Sequence, residues 1–139
     1  MTKPFILSAA IGELALSDPA WAGPILEQAQ KARLDLLLLG RPGQLPFDPQ
    51  VIAAWAAPRV STMGVVPVVT ARLAHPFHVA RALSAVDWLS GGMLGWCPVG
   101  EGHPAEQIAD LAMATRALWD GWSDDTLIID KAAGRYLDA

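Results

Sequence analysis

The chain has 139 residues, 53% of them apolar, with 10 basic and 14 acidic side chains and a net charge of −4. That is one domain's worth of chain with enough apolar material for a core, and charged residues at 17% fall below the roughly 25% of ordinary soluble domains, which excludes a disordered acidic tail. The acidic balance argues against a general nucleic-acid surface, and the longest apolar stretch, the 12 residues between Arg59 and Arg72, is broken by Pro67 and is shorter than the about 20 that cross a bilayer.

The run Phe5 to Ile11 reads as a first strand. Glu13 and Asp18 follow it too closely for a secretory signal. Asp18-Pro19 opens a helix to about Arg33, since proline suits the first helical position and aspartate caps it. Leu34 to Leu39 is a second strand, and Asp48-Pro49 opens a helix to Ala57. Val60 to Thr70 is a third strand, with His75-Pro76 opening a helix to Leu89 that Ser90-Gly91-Gly92 stops. Met93 to Val99 is a fourth strand, and His103-Pro104 opens a helix to Trp122. The four X-Pro starts lie 30, 27 and 28 residues apart, so the chain is a fourfold repeat. The strand runs are continuously apolar, which predicts strands buried on both faces. Val79, Leu83, Val86 and Leu89 share one helix face. So do Ile108, Leu111, Ala112, Thr115, Leu118, Trp119 and Trp122. Of the six tryptophans, those on helices are expected in the core.

The pattern is α/β, a (βα)₄ array of parallel strands joined by right-handed crossovers. Two architectures fit it: half of a TIM-type barrel, whose full form takes about 250 residues, or an open doubly wound sheet. Residues 1–122 form the repeat domain. Residues 123–139 form a tail or arm in which Thr126 to Ile129 reads as a short strand.

Ligands of βα folds sit at the C-terminal ends of the strands. That edge carries Gly12, Glu13, Gly40, Arg41, Thr70, Arg72, Trp96, Cys97 and Glu101. Arg41 and Arg72 fit a phosphate or carboxylate, or pair with Glu13 and Glu101. Trp96, in a strand, is a candidate wall for an aromatic ring. His75, His78 and His103 read as caps and surface packing rather than metal ligands. Cys97 is the sole cysteine, which leaves no intramolecular disulfide and no cysteine zinc cluster and fits a reducing cytoplasm. It reads as a small hydrophobe more readily than as a reactive thiol. No G-x-G-x-x-G or P-loop pattern occurs.

The third and fourth units carry linked motifs: Met63-Gly64-Val65-Val66, His75-Pro76-Phe77-His78-Val79-Ala80-Arg81, Asp87-Trp88-Leu89-Ser90-Gly91-Gly92 and Gly95-Trp96. Leu118-Trp119-Asp120, Asp124-Asp125, Asp130-Lys131 and Gly134-Arg135-Tyr136 follow in order. Together they resemble the luciferase-like flavin-dependent monooxygenases, in the branch of nitrilotriacetate monooxygenase component A and the desulfurisation enzymes, over Val60 to Asp138 and more loosely over Phe5 to Gly40. The resemblance implies the N-terminal half of a TIM-type barrel that uses FMN, reduced by a separate flavin reductase, to activate oxygen. It implies cofactor-binding positions at Gly40, Thr70, Arg72, Trp96 and Cys97, no metal, and no assignable catalytic base. Cys97 stands where the family motif has Asn, and Gly40 where it has an acidic residue. A relative that kept the fold as a non-catalytic dimeric binding or accessory protein is the alternative.

Half a barrel exposes two strand edges and one sheet face. Apolar runs such as Met63 to Val69 are costly to leave in water, about 1.5–3 kcal/mol for each large side chain. The expectation is a homodimer, or pairing with a second barrel-half chain. Neither nucleic acid nor membrane is expected as a partner.

Overall fold

The computed structural model describes residues 5–12, 19–40, 48–71, 74–100, 102–122 and 127–137. In chain order the elements are β1 (Ser8–Ile11), α1 (Pro19–Lys31), β2 (Leu36–Leu39), α2 (Pro49–Ala56), β3 (Gly64–Thr70), α3 (Pro76–Ser90), β4 (Cys97–Val99), α4 (Ala105–Asp120), β5 (Leu127–Asp130) and β6 (Arg135–Leu137). A single 3₁₀ turn, Ala57–Arg59, follows α2.

The proline starts work as local chemistry requires. The Asp48 carboxylate accepts the Gln50 N–H at 2.8 Å, with Pro49 in the first turn of α2. His75 caps α3 through Nδ1, which accepts the Phe77 N–H at 3.3 Å. The fourth start differs from expectation. Pro104 itself is the cap residue of α4, without a side-chain cap bond, while His103 Nδ1 lies 2.8 Å from Gln107 Oε1. Asp18 lies outside the described residues. At the other end of α3, Gly91 takes a left-handed φ of 66°. This lets the Gly92 N–H reach the Asp87 carbonyl at 3.0 Å, a closure that residues with a Cβ disfavour. Arg33 also turns left-handed, at φ 56°, and α1 therefore stops at Lys31 rather than Arg33.

The four main strands pair in parallel in the order β1-β2-β3-β4. Doubly wound sheets reverse strand order at a switch point; this sheet has no such reversal. Right-handed crossovers taken steadily in one direction put every helix on one face, as in an arc of a barrel. That face holds the core. Ile11, Leu37, Leu39 and Val65 pack with Leu26 and Ala29 of α1, Ala53 and Ala56 of α2, and Val86 of α3. Val69 packs with Val79 and Leu83 of α3 and with Trp96 and Trp119.

Burial corrects several expectations. β3 is buried throughout its apolar run, so Met63 to Val69 is covered by the chain itself. β1 is the opposite. Ser8, Ala9 and Ala10 are exposed, because an edge strand has a neighbour on one side only. β4 is shorter than Met93 to Val99. Only 97–99 form strand, and Leu94 makes an isolated bridge to Val65. On the helices, Val79, Leu83 and Val86 are buried but Leu89 is exposed. Trp21, Trp88 (83% exposed) and Trp122 lie at the surface, not in the core.

The tail holds a separate antiparallel hairpin, β5–β6, whose turn is tied by the Asp130 carboxylate accepting the Ala132 and Ala133 N–H groups, both at 3.0 Å. No described helix is long and apolar enough to cross a membrane.

Thr115 is fully buried on α4, and its hydroxyl has no hydrogen-bond partner among the described residues. A buried unsatisfied hydroxyl costs about 1–3 kcal/mol. Thr115→Val is therefore expected to raise stability by about 1 kcal/mol, read as a higher urea midpoint at unchanged slope. Leu83→Ala, on the same packed layer, is expected to lower it by about 2–5 kcal/mol.

Candidate functional site

Strand alternation sorts the predicted site residues by face. Ile11, Leu37, Leu39, Val65 and Val69 point at the helices. Residues of the other parity point at the opposite face of the sheet, where Val66 and Val68 of β3 are nonetheless buried. The register aligns Ala10, Leu38 and Val66 in one row across three strands. The next row toward the strand C-termini carries Gly12, Gly40, Val68 and Cys97, with Val68 and Cys97 registered directly. Above it Thr70 pairs with Val99.

The structure thus brings Gly40, Cys97 and Thr70 onto one face at the strand ends. Gly40 is buried, its N–H extends the β1–β2 ladder to the Ile11 carbonyl at 3.1 Å, and its φ is 103°. That backbone is open to glycine and strained for any other residue. Cys97 is half-buried and not in a disulfide. Among the described residues the row bears no charge and no side chain larger than valine. Its chemistry is a neutral, shallow floor with one thiol, and one hydroxyl above it.

Trp96 is the correction. As the neighbour of Cys97 it points the other way, into the helix layer against Val69, Val79, Leu83 and Trp119. There it lines an open groove of about 280 Å³ with Leu94, Gly95, Arg116, Trp119 and Asp120. The Arg116 and Asp120 side chains bridge at 3.4 Å, both mostly in solvent, so the pair contributes little. Sequence reasoning missed this groove. Its signal was the 116, 119, 120 spacing, which stacks three side chains on one helix face. Arg72, Arg41, Glu13 and Glu101 lie outside the described residues, and the two-arginine anion site with them. The His75 and His78 rings sit 5.5 Å apart, remote in sequence from His103. Among the described residues no three His, Cys, Asp or Glu side chains are grouped to hold a metal ion.

Sheet, crossovers and row define the class of molecule: an arc of parallel βα units whose ligand end is the C-terminal edge of its strands. No family model matches the chain. It is 29% identical over 117 residues to dibenzothiophene-sulfone monooxygenase of Rhodococcus erythropolis, covering 72% of this chain and 26% of that protein. It is 26% identical to N-acetyl-S-(2-succino)cysteine monooxygenase of Bacillus subtilis, covering 82% and 32%. To nitrilotriacetate monooxygenase component A of Aminobacter aminovorans it is also 26% identical, covering 88% and 30%. The chain spans about a quarter to a third of the length of these curated relatives.

In fold it is similar to long-chain alkane monooxygenase, at TM-score 0.75 and 19% identity, over 99% of this chain and 44% of that one. It is similar too to a riboflavin lyase solved with modified FMN and riboflavin, at TM-score 0.69 and 21% identity, over 98% and 42%. The chain is thus similar over most of its length to several bacterial monooxygenases, the kind of protein its motifs resemble.

The left-handed turn after β2 gives a direct test. Gly40→Ala is expected to lower stability by about 1–3 kcal/mol through backbone strain alone, seen as a lower urea midpoint.

Proposed function

We propose that this chain forms the ring-binding floor of an FMN-dependent, luciferase-like monooxygenase. The observation that carries the reading is the neutral row of Gly12, Gly40, Val68 and Cys97 at the strand C-termini, with Thr70 above it, in a chain homologous to monooxygenases. Two glycines, a valine and a cysteine leave the floor flat and uncharged, which suits a planar isoalloxazine face and gives a phosphate nothing to bind. The phosphate contacts therefore fall to other residues, Arg72 being this chain's candidate.

Reduced FMN, when bound, supplies the electrons that activate oxygen. The chain's own part is positional. Gly40 lets the ring approach the backbone closely, Val68 and Cys97 exclude water beneath it, and the Thr70 hydroxyl is, among the described residues, a polar group on the same face beside the row. The riboflavin lyase solved with modified FMN supports a flavin on this kind of fold. The reading includes a separate flavin reductase as the source of reduced FMN, cytoplasmic residence, and a homodimer or a second barrel-half chain as partner.

A second reading is favoured by Cys97 and Gly40, which replace the Asn and the acidic residue of the family motif. In it the fold is retained as a non-catalytic dimeric binding or accessory protein. One titration separates the two. Purified chain is titrated with FMN and with photoreduced FMN under argon, followed by flavin fluorescence and calorimetry. The monooxygenase reading expects micromolar binding that Cys97→Trp weakens about tenfold or more, which is about 1.4 kcal/mol, at unchanged circular dichroism. Absence of binding at millimolar flavin leaves the accessory reading.

A further inference from the structure

The motif Asp87-Trp88-Leu89-Ser90-Gly91-Gly92 at the end of α3 does more than stop a helix. The Ser90 hydroxyl donates to the Asp87 carbonyl at 2.9 Å and accepts the Met93 N–H at 3.0 Å. The Asp87 carboxylate reaches further along the chain and accepts the Leu94 N–H at 3.4 Å. Both residues are half-buried. A helix end leaves carbonyls without donors, and the Gly91 and Gly92 N–H groups supply donors to the Trp88 and Asp87 carbonyls. Ser90 Oγ and Asp87 Oδ1 act in the other sense. They are acceptors, and they hold N–H groups of the chain that enters β4.

Those two residues lie where the fourth strand first meets β3. The Met93 carbonyl accepts the Val65 N–H at 2.8 Å, and the Gly95 N–H donates to the Val65 carbonyl at 2.9 Å. Leu94 is thereby bridged to Val65. Three residues on along both strands, Cys97 is registered with Val68, so a single register runs from the clamped turn to the strand. Side chains alternate with a period of two, and a slip of one residue exchanges faces. Such a slip would bring Trp96 onto the row of Gly40 and Val68 and send Cys97 into the helix layer. The strand proper offers β3 only the three residues Cys97–Val99. Its register is therefore fixed in good part at its entry, by two side chains of α3.

We propose that Asp87 and Ser90 are positioning residues for the candidate site: by clamping the Met93 and Leu94 N–H groups they hold β4 in the register that turns Cys97, and not Trp96, onto the row. They act through the backbone of the turn. The bonds they make lie within one βα unit and its join to β3, so the clamp is complete in itself. That Cys97 at this place serves a flavin rests on the function proposed above; the clamp does not.

The test is made on flavin-free protein, by residue-resolved amide hydrogen exchange and by the rate at which iodoacetamide alkylates Cys97, the sole cysteine. In the unsubstituted chain the Met93 and Leu94 amides are expected to be protected as well as the Gly95 amide. Ser90→Ala combined with Asp87→Ala is expected to speed exchange at Met93, Leu94 and Gly95, and alkylation of Cys97, by about tenfold, the loss of one or two hydrogen bonds. The amides of β2 are expected to keep their rates. Ser90→Thr and Asp87→Asn retain the acceptor oxygens and are expected to retain the unsubstituted rates. A general loss of stability would instead speed exchange in β2 as well. Free exchange of the Met93 and Leu94 amides in the unsubstituted chain overturns the proposal, whether or not any variant folds. So does a double variant that loses protection at Gly91 and Gly92 alone with Cys97 unchanged, or one whose losses in β2 equal those in β4. Flavin titration is a separate measurement: absence of binding to the unsubstituted chain ends the flavin reading, and the clamp is still decided by exchange and alkylation.

Discussion

The structure depends on one steric constraint. A right-twisted strand feeding a helix returns to the sheet with right-handed crossover, and here three crossovers proceed in the same direction across β1-β2-β3-β4. All helices therefore cover one face, and all large apolar residues of that parity find partners there: Leu37, Leu39, Val65 and Val69 among them. The opposite face gets no helices. Its rows narrow toward small residues at the strand C-termini, and that gradient is what makes the C-terminal edge a floor rather than a second core. Fold and candidate site are two consequences of one handedness.

Much of this was legible in sequence because it rests on local chemistry. Asp48-Pro49 and His75-Pro76 announce helix starts through a side-chain acceptor and a residue with no N–H to waste, and Gly91 announces the end of α3. The repeat of these signals gave element order and parallel sense. Burial was less legible. A continuous apolar run reads the same whether its strand lies in the middle of a sheet or at its edge. β3 and the Phe5–Ile11 run look alike as strings, yet the first is buried along its apolar length and the second is exposed from Phe5 to Ala10, with only Ile11 buried. Edge position is a property of the assembled sheet. The tryptophans divide in the same way: Trp119 packs on the core, whereas Trp88 and Trp122 stand at the surface.

The site shows the same division. That strand C-termini would carry it follows from the fold, and Gly40, Thr70 and Cys97 share a face accordingly. Trp96 could have been assigned from parity alone. Adjacent strand residues point to opposite faces, so Trp96 and Cys97 never both line one pocket. Chemical type, an aromatic ring near a flavin-like motif, outweighed geometry in the sequence reading, and the register corrects it. Arg116 and Asp120 escaped notice because a helix pair beside a strand becomes a groove only once Trp96 is known to face it.

The floor also bears on how much chemistry one arc of a barrel can perform. A site that positions a cofactor by a flat neutral surface gains little discrimination from that surface, since it offers a ring face no directional hydrogen bonds. Orientation and specificity come from groups that close around the ring from the remaining directions. In the alkane monooxygenase fold this chain corresponds to 44% of the polypeptide. Affinity for a flat ring can arise from the arc alone, because apolar contact scales with the area covered. Turnover demands pre-organised polar groups on several sides at once, and the described row offers one thiol, with the Thr70 hydroxyl at the next register position. Under the proposed reading, binding and catalysis are thus separable on physical grounds: the first asks for small side chains at one edge, and the second reaches beyond it.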